Sequence, residues 1–210
     1  MRQKNNPVNR QTPRAGISPP AFYFFPRHYT MLDFMNSRER EVLTWQDFGI
    51  ATRSLAQMIY DSGWMPDLVL AVARGGLLPG GSIAYALGVK AVGAVNVEFY
   101  TDIAQTLSSP VLIPPLMDMA CLAGKKVLVA DDVADSGKTL KLVTDLISTP
   151  GRAHSGQRNS LHAAEVRCAT IYRKSRSVIT PDYVWRKTDK WINFPWSTLP
   201  PVGSPSKTGA

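Results

Sequence analysis

Cysteine is scarce: the 210 residues hold two, Cys121 and Cys168, far apart and both in apolar surroundings. They cannot supply the paired spacing of a zinc site or a disulfide framework, and a reducing, cytoplasmic setting is expected. Long apolar runs are missing as well. None approaches the ~20 residues needed to cross a bilayer, and the basic N-terminus lacks an apolar segment followed by a small-residue cleavage site. No membrane partner is expected. Acidic residues are absent from positions 1–30, which carry five basic ones, and residues 151–176 carry six basic residues against Glu165. The formal net charge of +8 therefore belongs to a tail and one local patch, and the remainder is slightly acidic. That distribution makes a nucleic-acid partner a poor fit and equally suits the binding of a polyphosphate.

A hydrophobic content of 44% supports one substantial core. The expected organisation is a single catalytic domain over 41–202, a loosely attached extension over 1–40, and a short tail over 203–210. The extension mixes prolines, polar residues and the aromatic cluster Phe22–Phe25 without either regular period, and Met31 or Met35 is an alternative start to Met1. Order is expected from Thr44, an N-cap with Asp47 three residues on as a capping-box partner. Phe48, Ala51, Leu55, Met58 and Ile59 then share one helical face. Asp67–Ala73 is a short continuous apolar run ending at Arg74-Gly75-Gly76, the pattern of a strand buried on both faces and closed by a glycine turn. A helix over Gly80–Leu87, strands over Lys90–Val97 and Lys126–Ala130, a helix with Leu140, Val143, Leu146 and Ile147 on its apolar face, and a strand over Val166–Tyr172 complete a βαβ alternation. Residues 100–123 are too proline-interrupted for an ordinary connection and read as a lid or short hairpin. Residues 151–163 read as a surface loop.

Chemistry concentrates in Val127-Leu-Val-Ala-Asp-Asp-Val-Ala-Asp-Ser-Gly-Lys-Thr-Leu140. Four apolar residues bring the chain to Asp131 and Asp132 at the carboxyl end of a buried strand, where open α/β sheets bind ligands. Ala134, Asp135, Ser136, Gly137, Lys138 and Thr139 follow and lead into a helix. Such a turn aims backbone N–H groups and the positive helix end at one point, a cradle for phosphate to which two hydroxyls add donors. Adjacent carboxylates suit ribose hydroxyls, or a Mg²⁺ ion that keeps most of its waters. A nucleotide-hydrolase P-loop is excluded: it needs glycine five residues before Gly137, and Asp132 stands there. At Arg74-Gly75-Gly76, the glycines allow close backbone approach to an anion and the arginine can grip pyrophosphate oxygens.

The 127–140 segment resembles the ribosyl-diphosphate-binding motif of type I phosphoribosyltransferases. That resemblance implies an α/β fold with a central, mostly parallel sheet flanked by helices, a small hood and a flexible loop. It also implies that Asp131 and Asp132 hold the ribose hydroxyls and Mg²⁺, partly through water. Residues 135–139 would take the 5-phosphate, the 74–76 turn the diphosphate, and Asp135 would handle the purine N7 proton. Further on, Thr170-Ile-Tyr-Arg-Lys174 and Asp189-Lys-Trp-Ile-Asn-Phe-Pro-Trp196 are similar to segments of bacterial xanthine-guanine phosphoribosyltransferases. By that likeness Lys174 donates to a 6-oxo group, Trp191 stacks on the purine and the Ile192 backbone meets the base edge. Trp191 read alone is better explained as core. The resemblance departs at Ser197, where the family has aspartate, and around Lys174, where this chain is more basic.

The expected activity is Mg²⁺-dependent transfer of 5-phosphoribosyl from its 1-diphosphate to a 6-oxopurine, for purine salvage, by a homo-oligomer. Three alternatives stay open from the sequence: the same chemistry on another base, a ribosyl-diphosphate-sensing regulator that binds nucleic acid, and an inactive paralogue.

Overall fold

A computed structural model of the protein describes residues 40–98, 101–102, 105–106, 111–113, 119–148 and 162–203. The expected extension, tail and basic loop lie outside these residues, apart from a few at their edges, as does half of the expected lid.

The chain opens with strand β1 (Arg40–Val42) and helix α1 (Trp45–Asp61). The Thr44 hydroxyl accepts from the Asp47 amide at 3.0 Å, so the N-cap forms as expected. Its partner differs from the capping box, because the Asp47 carboxylate accepts the Thr44 hydroxyl itself at 2.6 Å. Ala51, Leu55 and Ile59 are buried, whereas Met58, at the edge of that face, is exposed. Strand β2 (Leu68–Ala73), helix α2 (Leu77–Leu87) and strand β3 (Val92–Glu98) follow. Helix α2 starts at Leu77 and not at Gly80, because Pro79 falls in the first turn, where a missing N–H costs nothing. Strand β3 starts and ends slightly later than expected.

Short strands β4 (Thr101–Asp102) and β5 (Gln105–Thr106) pair antiparallel, giving a hairpin, and β6 (Val111–Ile113) runs antiparallel to β3. A 3₁₀ turn over Met119–Leu122 leads to β7 (Lys126–Ala134), α3 (Lys138–Ser148), β8 (Glu165–Arg173), β9 (Tyr183–Lys187) and β10 (Trp191–Asn193).

The main sheet has the order β6-β3-β2-β7-β8-β9, and its last five members are mutually parallel. Strands β1 and β10 form a separate parallel pair, with Glu41 opposite Ile192. Alternation along the buried strands splits the core across the two faces of the sheet. Val69, Leu128 and Ile171 pack with Leu55, Ile59 and Ile83 beneath α1 and α2. Leu70, Val127 and Val129 pack with Leu140, Val143 and Ile147 of α3, while Leu146 stays exposed at the edge of that helix face.

Candidate functional site

Strand β7 outruns its neighbour. Pairing with β2 ends at Ala71 opposite Ala130, but pairing with β8 continues through Asp131 opposite Thr170 to Ala134 opposite Arg173. The acidic pair therefore lies within the strand, two and three residues before its end at Ala134, and not after an end at Ala130 as the sequence suggested. One edge of β7 is thus open at Asp131 and Asp132, and the turn after β2 folds over it. Two glycines allow that approach. A β-carbon on Gly75 would overlap the carboxylate of Asp132, and one on Gly76 would overlap the Ala130 carbonyl. The Gly76 amide closes the turn by donating to Val72 O at 2.8 Å. Arg74 is exposed on this turn, and the Ala73–Arg74 peptide is cis.

Two carboxylates side by side in a partly buried place repel one another and lose hydration. Burial first, then the neighbouring Asp132 charge, hold the Asp131 carboxyl well above its usual range. Burial likewise pushes Asp132 up to about 6. The Asp132 amide donates to Asp131 Oδ1 at 2.9 Å, but an acidic pair that no described basic side chain approaches to ion-pair distance favours a cation or hydroxyl donors.

Beyond Ala134, which is buried, Asp135, Ser136 and Gly137 carry the chain into α3, whose first turn holds Lys138 and Thr139. The leading amides of α3 have no carbonyl partner inside the helix, leaving its positive end available to an anion. Gly137 has φ +73°, a left-handed conformation, and a side chain there would run into Ser177 and Ile179. The 175–179 turn is thereby seated on the loop, and the Val178 amide donates to Ser136 O at 2.9 Å.

Lys174 directly follows β8 with its side chain buried, and its amide donates to Ala134 O at 3.1 Å. A buried ammonium needs compensation. It has Asp135 Oδ1 at 3.5 Å from Nζ, and the Trp191 ring centroid at 5.9 Å. Trp191 is 68% exposed, which excludes the core reading, whereas its neighbour Ile192 is buried and anchors β10. Behind β10, Phe194 stacks on Trp196 with centroids 4.9 Å apart, and Phe48 meets Trp196 edge-on at 5.4 Å. These contacts fasten the small sheet to α1 and Tyr172.

A cavity of about 360 Å³ opens between these elements, lined by Val133, Asp135, Lys174, Trp191, Ile192, Asn193, Phe194 and Ser197. It unites the four residues expected near a base, drawn from three segments of sequence. Arg74, Gly75 and Gly76 do not line it; Gly75 lies against the Asp132 carboxylate instead. One participant escaped the sequence reading: Arg176 donates from Nε to Asp135 Oδ1 at 2.8 Å. In the sequence Arg176 is one charge of a basic patch, with no motif to single it out.

Comparison with known proteins agrees with this fold. The phosphoribosyl transferase domain model matches residues 39–200. A purine phosphoribosyltransferase from Pyrococcus horikoshii Ot3 superposes with a TM-score of 0.62 at 32% identity, covering 79% of this chain and 99% of its own. A xanthine-guanine-hypoxanthine phosphoribosyltransferase from Helicobacter pylori gives 0.59 at 19% identity, covering 76% of this chain and 94% of its own. A hypoxanthine phosphoribosyltransferase from Staphylococcus aureus gives 0.54 at 19% identity, covering 76% and 83%. The last two are likenesses of fold.

Proposed function

The chain belongs to the phosphoribosyl transferase domain family, and from that premise we propose that it moves 5-phosphoribosyl from its 1-diphosphate to N9 of a 6-oxopurine, releasing pyrophosphate. The observation that carries the reading is the cavity in which Asp135, Lys174 and Trp191 meet, a few residues along β7 from the acidic pair. The Pyrococcus relative, a purine enzyme by name, supports a purine acceptor.

Each part of the substrate has a matching chemistry. Asp131 and Asp132 accept the ribose hydroxyls, and the 135–139 loop with the α3 terminus takes the 5-phosphate. Ala134, small and buried, lets the strand turn into that loop. Arg74 and the Gly75 and Gly76 backbone face the diphosphate. An ammonium offers donors only, so Lys174 favours a 6-oxo acceptor over a 6-amino group. The exposed Trp191 face suits stacking, and the Ile192 backbone the base edge. As the anomeric C–O bond breaks, positive charge grows on the sugar and negative charge on the pyrophosphate; Asp131 and Asp132 stabilise the first, and Arg74 with the loop amides the second. Asp135, at the mouth of the cavity, takes the N7 proton.

Mg²⁺ fits this donor set. Among the described residues no cluster of three or more His, Cys, Asp or Glu side chains is placed to hold a metal, but Mg²⁺ needs only one or two carboxylates when water and phosphate oxygens complete its shell. Asp131 and Asp132, adjacent and partly buried, are those carboxylates. When bound, the ion would offset charge on the departing pyrophosphate. A cytoplasmic homo-oligomer, with residues 41–202 as the catalytic unit, completes the proposal.

The test is pyrophosphate release from the diphosphate and Mg²⁺ with guanine, xanthine, hypoxanthine, adenine, uracil and orotate offered separately. Release with one or more 6-oxopurines is expected. Release only with another base would overturn the roles of Lys174 and Trp191, and no release with any of them would overturn the enzymatic reading.

A further inference from the structure

Resting on that reading, the geometry points to Arg176 as a positioning residue that keeps the Lys174 ammonium available to the purine by occupying Asp135. Both cations address the same oxygen. Arg176 Nε donates to Asp135 Oδ1 at 2.8 Å, and a second donor of the same guanidinium, Nη2, reaches that oxygen too. Lys174 Nζ stands farther off, at 3.5 Å. A guanidinium presents its donors as a rigid fork, while an ammonium is a mobile point charge, so the arginine takes the hydrogen bond and the lysine is left with an ion-pair distance.

The two cations differ in surroundings. The Lys174 side chain is 9% exposed and lines the cavity, whereas the Arg176 side chain is 65% exposed and does not. The backbone fixes the distance between them. Ser177 N donates to Lys174 O at 3.1 Å, and Ser175 donates from both its amide and its hydroxyl to Asp189 at 2.8 Å. This turn holds Arg176 over Asp135 from the solvent side while Lys174 approaches from within. Without the arginine, the buried ammonium has Asp135 at ion-pair distance and would close onto it, because a desolvated charge gains most from a direct partner. Its donors would then be spent on Asp135 and not on the base.

The experiment is to measure KM separately for a 6-oxopurine and for 5-phosphoribosyl 1-diphosphate in wild type, R176Q and R176K, at low and high salt. In R176Q the base KM should rise about three- to fivefold, the scale of one partly exposed ion pair, with the diphosphate KM unchanged. R176K should recover part of the loss. Salt should raise the base KM of the wild type and not of R176Q, since the pair it screens is gone. Melting temperatures should match, as the side chain is exposed. An unchanged base KM in R176Q, or both KM values rising together as a distorted loop would cause, overturns the inference while leaving the proposed function standing. A wild type that uses no purine overturns both.

Discussion

Gly75 and Asp132 are in such close apposition that no other residue fits between the β2 turn and the acidic strand. The diphosphate turn and the ribose carboxylates of the proposed site are thus one packed unit. G75A should force the turn away from β7, cost on the order of 1–3 kcal/mol as overpacking does, and weaken diphosphate binding at least about tenfold. G81A is the control: its β-carbon meets open space in α2, and it should be neutral or slightly stabilising. Calorimetric titration with the diphosphate and thermal melts distinguish the two.

Stability should carry the mark of the acidic pair. With its carboxyl raised from an ordinary 3.8 to about 6, Asp132 holds a proton more tightly in the native state than in the unfolded chain. Native stability should therefore fall as pH rises from about 4 to 6, and the penalty should stay in full above that. D132N should raise the melting temperature at pH 7.5, by a stability gain of roughly 1–3 kcal/mol, and the gain should vanish near pH 4. A variant less stable than wild type at pH 7.5 would refute this.

Asp135 is assigned a proton and not the sugar. D135N should lower turnover by about a hundredfold, the low end for loss of a general base, and leave diphosphate affinity mostly intact. Unchanged turnover would remove its role as base.

Trp191 offers a direct reading of the cavity. Because the ring is 68% exposed, W191A should leave the melting temperature nearly unchanged. The base KM should rise about tenfold, the loss of one stacking platform, and the part of the fluorescence quenching by added purine that comes from Trp191 should disappear.

The main sheet was legible because β2 and β7 are continuous apolar runs with nothing else to be, and their glycine and acidic ends mark the ligand edge. Strands β1 and β9 were not legible. The first is three residues that become a strand only by pairing with β10, and the second takes its place from β8; both are tertiary effects without a local period. Burial of the acidic pair inside β7 was missed for a similar reason, since β8, far along the chain, extends the pairing. Trp191 was ambiguous in sequence because an indole is more often core than platform, and only its exposure excludes the first. Arg176 owes its position to a turn seated on Gly137, which no pattern of residue types announces.

The pair of strands β1 and β10 shares no member with the main sheet. On the proposed reading, the donor is gripped by the main sheet alone, while the acceptor is read jointly by Asp135 and Lys174 at its edge and by β10, the two frameworks being joined through aromatic packing behind the cavity. A lineage built this way can change its diet by editing a few residues of β10 and its flanks, while inheriting its hold on the activated sugar intact.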